Sequence, residues 1–337
     1  MRSAALRRHG ENINPAYSTV DVGHSTDAAR PGGQASGTLR RFAKPAQADR
    51  YPTAMGLLKS RFPHAVEFTG IAHEVRGLII LMGVIAAAIS IALWQMFFFG
   101  LLEDGLEETF DKVAISVSML FLVMGLYCLI RAIRYEFFRP EDEPIIFDRK
   151  NRKIYRLFRE THSGLRGLLK HWPMRAAEYE WDLVDAEHHV EVLQMKNTVT
   201  TFHRLFFIVR KSAADPTIID SFSIGNAIQL TESTVPPLWE YIRQFMEGAG
   251  PHFPTDEPLL VPPAPATWWE SMGAVGPIGP NYLACWKNQT ALMSLYHLLF
   301  PLFLPMFLLW GFFNWLSYKT AIAFAWPNEV MYAVLDD

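Results

Sequence analysis

Three long apolar runs interrupt an otherwise ordinary mixture of polar and apolar positions. No charged residue occurs from Gly77 to Leu102, or from Val113 to Ile130. A third uncharged run extends from Asn288 to Tyr318, between Lys287 and Lys319. A helix needs about 20 apolar residues to cross a hydrocarbon core of roughly 30 Å, so the pattern predicts three membrane segments. The first two form a helical hairpin over 77–133, joined by the short loop Glu103–Lys112. The third, over 288–318, contains Pro301 and Pro305, and an internal proline removes a backbone donor and kinks a helix. A simple span that exports the tail 319–337 is the first expectation, and a kinked re-entrant or interfacial segment is the alternative.

Between the second and third runs the pattern changes to short alternating stretches. Pro144–Phe147 and Ile154–Phe158 flank the polar turn Asp148-Arg149-Lys150-Asn151-Arg152, a hairpin signal. Tyr179 and Trp181 mark a further strand, Val190 and Val192 another, and Thr198–Lys211 a long buried one. Asp215-Pro216 turns the chain into a partner strand through Ile218, Ile219, Phe222 and Ile224. Pro236-Pro237 then opens a helix whose Leu238, Trp239, Ile242, Phe245 and Met246 share a face, with Gly248 to end it. The predicted fold class is an α+β membrane protein, in which a cytoplasmic antiparallel sheet closed by one helix occupies 134–250. That element order resembles the pleckstrin-homology-like domains that some bacterial proteins carry after a membrane hairpin. Residues 1–55 lack apolar periodicity and read as a disordered tail. Residues 251–287 are rich in Pro and Gly and read as an extended linker, with Trp268, Trp269 and Trp286 at a membrane interface.

Charge adds an orientation. Eleven Lys or Arg and six Asp or Glu lie between Arg134 and Arg175, whereas Glu103–Lys112 holds five acids and one Lys. Arg131, Arg134 and Arg139 follow the second helix, and Lys59, Arg61 and Arg76 precede the first. Basic residues collect on cytoplasmic flanks, so the N-terminus and the central domain are expected in the cytoplasm, beneath a bacterial inner membrane. The net charge of −3 over 337 residues gives no global attraction for nucleic acid. Two cysteines, Cys128 and Cys285, exclude a disulfide framework or a cysteine-rich metal site.

Candidate chemistry is sparse. Glu187-His188-His189 with Glu191 is the densest group of metal-ligand types. Neighbouring strand residues face opposite ways, so a site would need a further ligand, such as His203, and a solvated strand face is the simpler reading. No G-x-S-x-G elbow or glycine-rich phosphate loop occurs, and His73-Glu74-Val75-Arg76-Gly77 lacks the second His of a zinc-protease helix. No catalytic, cofactor-binding or metal residue is assigned. The basic run Arg149, Lys150, Arg152, Lys153 and Arg156 is the leading surface feature. It reads as a hairpin tip near anionic lipid or as a protein contact. Nucleic acid is the weakest reading, for want of stacking aromatics.

Four features carry a resemblance: the hairpin with its basic exit, Phe147–Tyr155, Leu238–Gly248, and Trp326-Pro327-Asn328-Glu329-Val330. From His73 onward the chain resembles the bacterial domain-of-unknown-function 6708 membrane family, whose members often lie near type VI secretion toxin genes. The resemblance implies a non-enzymatic protein that binds a toxin or secretion component, as an accessory or immunity protein. A membrane-anchored lipid- or signal-sensing module is the alternative. The family's tail tends to be basic, whereas this chain ends in Asp336-Asp337, which leaves the side of the C-terminus open, as is the oligomeric state.

Overall fold

The computed structural model describes residues 6–7, 37–70, 76–104, 109–162, 164–195, 198–225, 230–248, 257–260, 264–323 and 325–335. The disorder expected for the N-terminal tail therefore falls, up to residue 36, almost wholly outside the described residues, as does the centre of the acidic loop.

Two sheets form the central domain. The first has the strand order β1 (Leu6–Arg7), β7 (Met174–Glu180), β6 (Lys153–Arg159), β5 (Ile145–Asp148), β4 (Ala65–Phe68), β3 (Leu58–Arg61). It is antiparallel except where β1 meets β7. The second has the order β10 (Ile218–Ile224), β9 (Thr198–Arg210), β8 (Val184–Met195), β2 (Gly37–Phe42), antiparallel throughout. A single 3-10 turn, Trp181–Leu183, carries the chain from one sheet to the other and buries Trp181 completely. The hairpin turn at 148–152 is built by Asp148, whose carboxylate accepts from the amides of Lys150 (3.0 Å) and Asn151 (3.1 Å), the Asx-turn chemistry its sequence announces.

Helix α4 (Val235–Glu247) packs between the sheets and ends at Gly248 in the left-handed region, φ 63°. Its Trp239 stacks on Phe42 (5.7 Å) and Trp181 (5.8 Å), with Phe207 tilted against it. These rings, with Phe68, Phe147 and Tyr241, make one continuous core. Such aromatics bury large apolar areas and dominate the stability of a small domain.

Two sequence expectations are corrected here. Residues 37–55 are ordered: β2 pairs with β8, and Glu240 of α4 accepts from the amide of Ala48 (2.8 Å) while Arg243 donates to the Lys44 carbonyl (3.1 Å). The segment shows little periodicity of its own because its backbone polar groups find partners far along the chain, β8 for residues 37–42 and α4 side chains at Lys44 and Ala48. The sheet domain also does not begin at 134. Strand β4 pairs with β5, Val66 opposite Phe147, so the helices α1 (Leu78–Asp104) and α2 (Thr109–Glu136) are inserted between adjacent strands.

Three helical segments, Leu78–Gly100, Lys112–Glu136 and Phe300–Lys319, are long and apolar enough to cross a membrane. Helices α1 and α2 approach closely through small residues. A Cβ on Gly83 would stand 2.7 Å from that of Ala132, and one on Gly125 would overlap Ser90.

The linker expectation is corrected from residue 268 onward. Helix α5 (Trp268–Val275) begins at Thr267, whose side chain accepts from the Glu270 amide. It is followed by α6 (Tyr282–Asn288), α7 (Thr290–Leu298) and α8 (Phe300–Lys319). The third apolar run is therefore two helices, broken at Leu299 beside Pro301, with Pro305 retained inside α8. Tyr296 and Phe307 lie with ring centroids 5.9 Å apart, whereas eleven residues of continuous helix would separate them by about 16 Å. The chain therefore reverses between α7 and α8. Helix α5 packs along α8, with Gly311 against Met272 and Gly276 against Phe307.

The C-terminal end of α8 returns to the sheets. The Ile322 amide donates to the Arg139 carbonyl (3.1 Å), and α9 (Asn328–Leu335) lays Val330 and Val334 on Ala65, Ile146 and Tyr155 of the first sheet. Trp326 donates to Glu67 (3.0 Å). The expected export of residues 319–337 is thus replaced by docking onto the domain. The cause is the apolar pair Val330 and Val334, spaced four apart on one helical face, with Trp326 just before the helix packed beside them.

Candidate functional site

Each residue of the predicted basic run has a definite place. Arg149 lies over the Phe245 ring (5.3 Å). Lys150 is exposed on the turn. Arg152 meets Asp182 (2.6 Å) and Glu247 (3.5 Å), and Lys153 meets Glu178 (2.6 Å). Arg156 meets Asp220 (3.1 Å) and packs over Phe158 and Phe222. The acids that engage three of the five come from β7, β10, α4 and the 3-10 turn, so much of the run's charge is neutralised within the domain. Arg159, at the other end of β6, donates to the carbonyls of Arg134 and Tyr135 at the end of α2. Lys153 lies six residues further along the strand, up to about 20 Å away at ~3.3 Å per residue. The tip at 149–152 instead meets α9, through Asn151 and the Ala333 carbonyl.

A feature the sequence reading missed stands on the other sheet. β8 and β9 pair from Val184–Val209 to Met195–Thr198. The described pairs of β2 end at Val190 and those of β10 at Leu205. Beyond them the β8–β9 pair continues as a two-stranded arm. Thr200 and Thr201 are exposed on it, and Glu191 pairs with Arg204 (3.3 Å) at its base. The length of the second strand was legible in the sequence, but its long pairing with β8 was not.

The histidine-rich segment lies where the arm leaves the core, and strand alternation divides it. Outward, Glu187 accepts from Thr38 (2.7 Å), meets Arg41 (2.8 Å) and lies 3.2 Å from His189. Inward, His188 Nε2 and His203 Nδ1 are 2.9 Å apart and buried. His203 therefore joins His188 and not His189, and among the described residues no three His, Cys, Asp or Glu are grouped to hold a metal.

Burial, with His203 next in importance, lowers the His188 pKa to about 4. Between this value and the ordinary value near 6.5, the unfolded chain binds a proton that the folded chain refuses, so stability falls as pH falls. Acidification from pH 7 to 5 is expected to cost about 2 kcal/mol through this residue, at 1.36 kcal/mol per unit. Thermal unfolding of the detergent-solubilised chain at both pH values checks this, and His188→Phe should flatten the dependence.

A third cluster joins the helices to the domain. Glu136 is buried and accepts from the Gly77 amide and the Ser317 hydroxyl, both at 2.8 Å. The Arg76 carbonyl accepts from Asn314 (2.9 Å) and Trp310 (3.3 Å), while its guanidinium donates to the Glu141 carbonyl (2.9 Å) and lies over Tyr318. Gly77, at φ 83°, is required there because a Cβ would strike the backbone of Asn314. The start of α1, the end of α2 and the end of α8 are thereby fastened at one point beside the sheets.

These elements form a rigidly mounted double-sheet domain with a projecting arm. Neither a curated protein nor a solved structure matches the chain. The pattern of a family of unknown function, DUF6708, matches residues 121–333. That span runs from within α2 through strands β5 to β10 and on to α9, and covers more than half of the sequence, and the chain belongs to this family.

Proposed function

We propose that this chain is a non-enzymatic protein of the bacterial inner membrane. In this reading its β8–β9 arm captures a protein partner, a secreted toxin or a component of a type VI secretion system, as an accessory or immunity protein would. The observation that carries the reading is the arm: a two-stranded β8–β9 ribbon that runs on past the described pairs of β2 and β10 and carries the exposed Thr200 and Thr201, an extended surface of the kind protein partners dock on. Mounting the domain on α1, α2 and α8 holds that arm at a fixed height over the bilayer. Arg131, Arg134 and Arg139 lie on the domain's side of the helices, which supports a cytoplasmic domain. Two antiparallel sheets followed by one closing helix support the pleckstrin-homology-like comparison. The lipid-sensing alternative through residues 149–156 has less support, because Arg152, Lys153 and Arg156 are committed to acids of the domain.

Co-expression with the neighbouring toxin gene tests the proposal, with survival and co-purification as the readouts. Replacing residues 193–200 by Asn-Gly, which joins the paired Val192 and Thr201, should abolish co-purification and protection while leaving the melting temperature close to the parent, because the described residues removed, 193–195 and 198–200, pair across the arm with each other. Unchanged killing, with no complex recovered, would count against the whole reading.

A further inference from the structure

The loop between β6 and β7 carries two leucines that the domain does not use. Leu165 is 72% exposed and Leu169 is 89% exposed, four positions apart around the single helical turn α3 (Arg166–Leu169). Such spacing puts them on one side of the turn. Lys170 and His171 follow and are exposed.

This loop is fixed against α2. Arg131 donates to the His162 carbonyl (2.8 Å), and Arg134 donates to the carbonyls of Leu168 and Lys170. Trp172 is buried under three guanidinium groups, those of Arg131 (5.2 Å), Arg134 (5.5 Å) and Arg159 (4.8 Å). A Cβ on Gly167 would strike the His162 carbonyl, so the loop closes tightly at that point. The anchoring arginines belong to the last turns of a helix whose preceding residues Leu120, Phe121, Val123, Met124 and Ile130 are all exposed. The two leucines therefore stand at the level where α2 changes from apolar to charged.

We propose that residues 164–171 dock on the bilayer that α2 crosses, with Leu165 and Leu169 entering the boundary between headgroups and acyl chains. Lys170 and His171 remain among the headgroups. Apolar side chains backed by basic ones on a short surface element match that boundary chemically, and the continuity with the exposed apolar face of α2 selects lipid over a protein partner. Lipid contact is thereby assigned to this loop and not to the 149–153 turn. The inference rests on α2 being a membrane helix and does not depend on the toxin partner.

The test uses the full chain in phospholipid nanodiscs, with an environment-sensitive fluorophore on a single cysteine and a nitroxide on the lipid chains. Cys285→Ala leaves native Cys128, exposed on α2, as the membrane reference. With both native cysteines replaced by Ala, Leu169→Cys reports the loop and Lys150→Cys the distant turn, and Leu165→Cys substitutes should the Leu169 variant misfold. The expected result is lipid quenching at Leu169 several-fold above that at Lys150 and comparable with Cys128. Quenching at Cys128 but not at either loop position would overturn the loop assignment alone. No quenching at any position would overturn the bilayer reading itself, and this inference with it.

Discussion

Glu240→Ala is expected to destabilise the double-sheet domain by about 3–5 kcal/mol, the cost of breaking a buried ion pair from one side. Glu240 is completely buried, and its carboxylate accepts from Arg243 Nε (2.9 Å), Arg243 Nη2 (2.6 Å), Gln244 (2.9 Å) and the Ala48 amide (2.8 Å). Removing it leaves the Arg243 guanidinium, itself only 7% exposed, without a carboxylate, and releases the Ala48 amide, so that only the Arg243 bond to the Lys44 carbonyl still ties residues 44–48 to α4. Those residues lead directly from β2, whose Phe42 stacks on Trp239, so the damage reaches the aromatic core. The unfolding midpoint of the purified chain should fall by on the order of 10 °C. Glu240→Gln, which keeps an acceptor without the charge, should fall between the two. A Glu240→Ala midpoint equal to the parent's would show that the carboxylate does not hold the segment.

The same contact shows where the sequence stops being legible. From β5 to α4 the strands and the closing helix are announced locally, by alternation, by the Asp148 turn and by the Pro236-Pro237 start, whereas the single turn α3 and the 3-10 turn at Trp181, read as strand, are not. Strands β3 and β4 have four residues each, too short for a period to show, and all four of β4 are buried. β2, with its run Leu39-Arg40-Arg41, is a polar edge strand, which reads as a solvated tail until its partner β8 is known. The charge run around Arg149 was visible, but its neutralising acids lie up to 95 positions away at Glu247. The path of the third apolar run was hidden for a different reason. Lys287 and Lys319 flank it symmetrically, and the deciding signal lay beyond it, in the apolar stripe of α9. The arm could be suspected from a strand as long as Thr198–Arg210, but its extent depends on the register with which β8 pairs along it.

Glu136→Ala should release α8 from the helical hairpin at a cost of about 3–6 kcal/mol, because hydrogen bonds to a charged group contribute about 1.5–3 kcal/mol each and two are lost. Its partners belong to different elements: the Gly77 amide stands at the entrance of α1 and the Ser317 hydroxyl in the last turn of α8. The Gly77 amide would lose this acceptor and the Ser317 hydroxyl would keep only its long bond to the Glu136 carbonyl (3.4 Å), in a place where Gly77 cannot shift because Asn314 fills the space its Cβ would need. Helix α9 follows α8 onto the first sheet, so loosening one loosens the other. Limited proteolysis in detergent should then cut between residues 319 and 328 in the variant well before the parent. Ser317→Ala should cost less alone and little more when combined with Glu136→Ala, since the two share one interaction. Full additivity of the pair, or equal proteolysis of variant and parent, would place the fastening elsewhere. The domain would then ride on α1 and α2 alone, and the fixed height assigned to the arm would no longer follow from this buried cluster.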